Sequence, residues 1–147
     1  MISNDSSLNE YLDYNINVED FHKTKEINKG SYGSVFLVQN KKTNDIMAAK
    51  EITICNDENI SHQNISREID ILIQCQHPTI VKFFGYGKKV NEMNNDFKIT
   101  IFMEYAKNGS LFDYLNKIRE IENSADIDNT LLQIILIGIA FGMKYLH

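Results

Sequence analysis

The sequence predicts an α+β fold: a five-stranded antiparallel sheet with one inserted helix, followed by helices alone. Three observations lead there. Short β-branched and aromatic runs between Phe21 and Ala106 are separated by polar turns, the pattern of half-buried strands. Among them, "ISHQNISREIDILIQCQHP" changes to helical period, with Ile65, Ile69, Leu72 and Ile73 at i, i+4, i+7 and i+8 on one face. After "FKITIFMEYA" the strand pattern stops and only helical patterns follow. The short connections favour hairpin pairing, hence antiparallel neighbours.

Taken in order, residues 1–18 are polar and acidic and read as a flexible N-terminal arm. "TKEINKG" and "SVFLVQN" flank Gly30 and Gly33 like the arms of a hairpin, "NKKTND" is a turn, and "IMAAKEITI" is the third strand. The helix follows and stops before Pro78. "IVKFFGYGKKV" and "FKITIFMEYA" are strands four and five, joined by the loop "NEMNND". "NGSLFDYLNKIREI" starts a helix with Asn108 or Ser110 as its cap, and "ENSADIDN" is a loop. The last helix, "LLQIILIGIAFGMKYLH", counts 17 residues, fewer than the roughly 20 that span a bilayer, and contains Gln133 and Lys144. It reads as a buried helix, with no membrane partner.

Composition narrows the function classes. A chain of 147 residues is long enough for one domain with a sizeable core. A net charge of −5 supplies no basic face for nucleic acid, and the pairs Lys41-Lys42 and Lys88-Lys89 read as solvated turn residues. Cys55 and Cys75 form no CxxC, and "MISNDSSLNEYLDYN" lacks the apolar stretch of a signal peptide. Reduced thiols and a cytoplasmic location are expected, with neither a disulfide scaffold nor a zinc site.

The chemistry concentrates near the glycines. Without a Cβ, Gly30 and Gly33 let backbone amides approach a phosphate closely, although a bulged hairpin would use them equally well. Lys50 ends "MAAK" on the third strand, where a cation could hold such phosphates, and Glu68 follows on the helix. Taken singly, Lys50 is an edge charge, and a Lys–Glu surface pair is worth at most about 1 kcal/mol. Their joint order carries the information.

That order resembles a eukaryotic-type protein kinase domain. "NKGSYGSV" is similar to the glycine loop G-x-G-x-x-G-x-V, with Gly30, Gly33 and Val35 matching. Asn28 stands in place of the first glycine, a residue that tolerates left-handed backbone. "MAAK" resembles V-A-I-K, "REIDIL" resembles helix C, and "HPTIVKFFGYG" resembles the link into strand four. "IFMEYAKNGSLFDYL" is similar to strand five, hinge and helix D, and "IAFGMKYLH" to the end of helix E, so the likeness covers residues 21–147. It implies a kinase-like small lobe and hinge over 19–106, and over 107–147 the start of a helical large lobe, incomplete at helices D and E.

The resemblance also implies a site. Lys50 and Glu68 would be the catalytic ion pair, Asn28, Gly30 and Gly33 would form the loop over the phosphates of ATP, and Ile27 would be a further ATP-binding residue. Val35 and Ala48 would form the apolar ceiling over adenine, with Met103 as gatekeeper behind it. The Glu104 carbonyl and Ala106 amide would be the hinge groups, Ser110 would stand where the family often places a ribose-binding acid, and Leu72 and Phe83 would belong to the hydrophobic spine. Mg²⁺ is expected in the complete family domain, but its ligands are absent from this sequence.

The family's H-R-D-x-x-x-x-N loop, D-F-G and A-P-E lie downstream of the position matched by "YLH", and "NDF" at Asn95–Phe97 is followed by Lys98 rather than glycine. Loss of a catalytic base alone costs about 10²–10⁴ in rate. The expectation is ATP-dependent phosphorylation of a protein hydroxyl, on serine or threonine, by the complete domain, and inactivity of the 147 residues alone. Two other readings stand beside it. One is a non-catalytic interaction module that binds a protein partner, or itself, through Leu131–Leu146. The other is a pseudokinase remnant that holds nucleotide without turnover.

Overall fold

The computed structural model describes residues 13–30, 33–54, 59–90, 96–122 and 128–147. Residues 1–12 of the expected arm, Cys55, and most of the expected loops "NEMNND" and "ENSADIDN" lie outside the described residues. The chain forms two compact units, Met1–Gln74 with Phe83–Tyr105, and Cys75–Lys82 with Ala106–His147.

The first unit is built on strands β1 (Phe21–Gly30), β2 (Gly33–Asn40), β3 (Ile46–Ile54), β4 (Phe83–Val90) and β5 (Phe97–Met103), with helix α1 (Asn59–Gln74) inserted after β3. The strands form one antiparallel sheet in the order β1-β2-β3-β5-β4, as the element order predicts. Strand alternation separates two apolar clusters on opposite faces. One contains Ile54, Tyr86, Phe97, Ile99 and Ile101 of the sheet with Ile65 and Ile69 of α1, and Leu72 and Ile73 pack against it. The other contains Val38, Ala49 and Phe102. The helical stripe read from the sequence is thus the face that α1 buries, at roughly 1.5–3 kcal/mol for each fully buried side chain.

Several boundaries differ from the sequence reading. β4 begins at Phe83 rather than Ile80, because the Ile80 amide donates to the His77 carbonyl (3.0 Å) in a turn. The arm expected over residues 1–18 is docked where it is described. Asn15 forms a parallel bridge with Tyr86, and a short 3₁₀ helix, Val18–Asp20, leads into β1. On the face with Phe102, the Glu51 carboxylate, 11% exposed, lies between Lys23 Nζ (2.7 Å) and Lys98 Nζ (3.4 Å). This ties β3 to strands on both sides.

The second unit holds helices α2 (Leu111–Glu122) and α3 (Asn129–Leu146). Asp128 caps α3 by accepting from the Thr130 amide at 2.9 Å. The Cys75–Lys82 segment packs on α3: the Gln76 amide donates to the Tyr145 hydroxyl (3.2 Å), and the His77 and Tyr145 rings are 5.0 Å apart. Gly142 is the only buried residue of α3, whereas Ile134 (62%), Leu136 (64%) and Phe141 (55%) are largely exposed. The burial expected from its apolar sequence is therefore not met within the described residues, since its less exposed stripe is confined to Leu131, Leu132, Ile135, Gly138 and Gly142. By length and composition, with a mean hydropathy of 1.4, α3 would also suit a membrane span, a property shared with the core helices of soluble proteins.

Candidate nucleotide site

Register brings several of the singled-out residues of the first unit together. Lys50 on β3 lies opposite Val35 on β2 and Ile101 on β5, and Ala48 lies opposite Met103. Directly paired residues point to the same side of a sheet, as do residues two apart on a strand, so Val35, Ala48, Lys50 and Met103 share one face. That is also the face covered by α1. There Lys50 Nζ donates to Glu68 Oε1 at 2.6 Å, with the side chains 22% and 39% exposed. Partial exposure spares the pair the large desolvation cost of a dry interior.

The glycine turn closes the β1–β2 ladder at Gly30 opposite Gly33. Gly33 has φ +126°, and a Cβ there would collide with the Glu51 carbonyl of β3. Only glycine suits that position, and its close approach sets Gly33 against β3 at the residue after Lys50. Asn28 does not take up the left-handed backbone that would excuse it as a glycine substitute. It sits in the β1 ladder opposite Val35, and Asn44 is the only non-glycine with positive φ among the described residues. Ile27 falls at an irregularity between Glu26 and Asn28 and is 42% exposed. A cleft of about 970 Å³ runs past the sheet end at Gly30 and Gly33: it is lined by Ile65 and Glu68 of α1 and also by Phe36, Glu51 and Lys98 of the opposite face, but not by Val35, Ala48, Lys50 or Met103.

Leu72, Phe83 and Met103 pack against the cluster containing Ile69 and Ile101, and Phe83 lies opposite Met103 in the ladder. Glu104 follows β5 and is exposed. Ala106 and Ser110 belong to the second unit, where the Gly109 amide donates to the Ala106 carbonyl at 3.1 Å. Ser110 is the cap of α2. Its Oγ accepts from the Asp113 amide (3.1 Å) and donates to Asp113 Oδ2 (2.6 Å), which also accepts from the Ser110 amide (3.2 Å). Asp113 was not singled out from the sequence, although S-x-x-D before an apolar run is a capping-box signal.

Asp113 carries a pH dependence. The Ser110 hydroxyl first, and then its amide, hold the carboxyl below the ordinary value of 3.8. A depressed carboxyl contributes stability that is present above the unfolded value and lost as pH falls through the folded one. Cα chemical shifts of α2, followed from about pH 5 to about pH 1, are expected to lose helical character below 3.8. Ser110→Ala should flatten that loss, and an unchanged profile would exclude the capping box as its source.

The family model for the protein kinase domain matches residues 21–147. The chain belongs to the protein kinase family. Over 122 residues, 83% of its length, it is 33% identical to serine/threonine-protein kinase 1 of Arabidopsis thaliana. Over 128 residues, 85% of its length, it is 31% identical to the mitogen-activated protein kinase kinase kinase YODA of the same organism. The kinase chain spans about an eighth of these relatives, 13% of each.

Proposed function

We propose that this kinase chain forms the ATP-holding part of a protein kinase domain, within a polypeptide that phosphorylates serine or threonine. The observation that carries this reading is the 2.6 Å Lys50–Glu68 pair on the same sheet face as Val35, Ala48 and Met103, beside the glycine turn. Glu68 would hold the Lys50 ammonium so that its remaining N–H groups donate to phosphate oxygens, and the turn's amides would approach the same phosphates. Val35, Ala48 and Met103 would supply apolar surface for the base. ATP supplies the transferable phosphoryl group. The names of the two relatives support the serine/threonine class. Among the described residues no group of three His, Cys, Asp or Glu side chains is placed to hold a metal ion.

Calorimetric titration of the 147-residue chain with ATP is expected to give a dissociation constant from high micromolar to millimolar, about −4 to −6 kcal/mol. The same chain should transfer no phosphate to a generic protein substrate, since its sequence contains no H-R-D or D-F-G. Absence of binding would remove the nucleotide reading. Turnover abolished by Lys50→Met would show that other residues supply the base.

A further inference from the structure

We propose that Tyr14–Glu19 is a strap that closes over edge strand β4 and makes Tyr14 a positioning residue for α1, the helix that brings Glu68 to Lys50. β4 ends the sheet order, so one side of it offers N–H and C=O groups to any passing chain. The strap occupies that side. Asn15 bridges Tyr86 in parallel, and the Ile16 amide donates to the Tyr86 carbonyl at 2.8 Å.

Its apolar residues divide between the two faces of the sheet. Tyr14 packs against the cluster that contains Ile65 and Ile69 of α1, while Ile16 and Val18 pack against the opposite cluster with Phe102. Gly85 and Gly87 make the passage possible. A Cβ at Gly85 would meet the Tyr14 carbonyl and lie 2.8 Å from Ile16 Cδ1. One at Gly87 would strike Val18 Cγ2 and lie 2.5 Å from the Ile16 carbonyl oxygen. Neither position tolerates a side chain while the strap is closed. At its end, Glu19 pairs with Lys89 at 2.5 Å and Lys41 Nζ donates to the Glu19 carbonyl at 2.6 Å, an exposed latch that orients the strap.

The route to α1 runs through Phe83. The Tyr14 and Phe83 ring centroids are 5.7 Å apart, and Phe83 joins Leu72 and Ile73 of α1 against the cluster around Ile69. Ile69 is the neighbour of Glu68 and is fully buried. Opening the strap removes one wall of that packing, which loosens the helix and with it the orientation of Glu68. No strap residue lies among the nucleotide contacts proposed above.

The test uses the full chain with Tyr14→Ala, Tyr14→Phe and Gly87→Ala, read by amide hydrogen exchange and ATP affinity. Gly87→Ala should release protection at Ile16 and speed exchange along α1. Tyr14→Ala should speed α1 while leaving the Ile16 amide protected, and Tyr14→Phe should restore α1. Changes of roughly 2- to 30-fold are expected in α1 exchange, with a parallel weakening of ATP binding. Release of the strap with α1 exchange unchanged overturns the proposal, as does α1 loosened equally by Tyr14→Phe and Tyr14→Ala. The link to ATP rests on the nucleotide reading. If the unmodified chain binds no ATP, that reading fails while α1 exchange still decides the strap. Should Gly87→Ala fail to fold, the two Tyr14 variants decide it alone.

Discussion

Replacing Ile69 by alanine is expected to cost about 2–5 kcal/mol and to take α1 off the sheet. Ile69 is 0% exposed, and its cluster joins α1 to Ile54 of β3, Ile101 of β5 and Tyr86 of β4. Truncation leaves a cavity that a sheet paired on both sides cannot collapse to fill. A domain is stable by about 5–15 kcal/mol, so the loss is a large share of the whole. Ile71, two residues away and 54% exposed, is the control, since its truncation should change stability by no more than about 0.5 kcal/mol. Urea denaturation of both variants measures the difference. Equal costs at Ile69 and Ile71 would mean that α1 is not packed by the stripe described here.

Lys50→Met should leave the fold intact and remove most of the nucleotide affinity. Both partners of the pair are partly exposed, so breaking it leaves Glu68 able to recover water rather than stranded in the interior. The stability change is expected to stay below about 1 kcal/mol. For ATP, the lost ammonium is a charged donor to phosphate, worth about 1.5–3 kcal/mol, or roughly 10- to 150-fold in dissociation constant. Glu68→Gln keeps a hydrogen-bond acceptor for Lys50 but not the charge, and its effect should be smaller. An unchanged dissociation constant for Lys50→Met, beside an unchanged fold, would place the phosphates elsewhere.

Much of this was legible because the sequence repeats its message at two levels. Ile65, Ile69, Leu72 and Ile73 mark the buried face of α1 by period alone, and the contact of Lys50 with Glu68 is what the resemblance to the family implied. Glu51 could not be read this way. Its partners Lys23 and Lys98 lie on two other strands, and only the register across β1, β2, β3 and β5 brings them to one carboxylate. Tyr14, Ile16 and Val18 alternate with Asp13, Asn15, Asn17 and Glu19, a period-2 pattern hidden by the polar residues around it. The grouping of Cys75–Lys82 with the C-terminal helices was invisible for a similar reason: its contacts are with Gly142 and Tyr145, far along the chain. The left-handed backbone that Asn28 would tolerate is not called on there, since among the turn's described residues the positive φ falls at Gly33.

The claim that the first unit holds nucleotide on the sheet face it shares with α1 is tested most directly by following backbone amide resonances during an ATP titration. The account predicts saturable shifts at Gly30, Gly33, Val35, Ala48, Lys50 and Met103. Exposed strap residues such as Asn17 and Glu19, and Lys98 on the opposite face, should stay within error. Shifts confined to the opposite face around Glu51 and Lys98, or none at concentrations well above a millimolar, would contradict it.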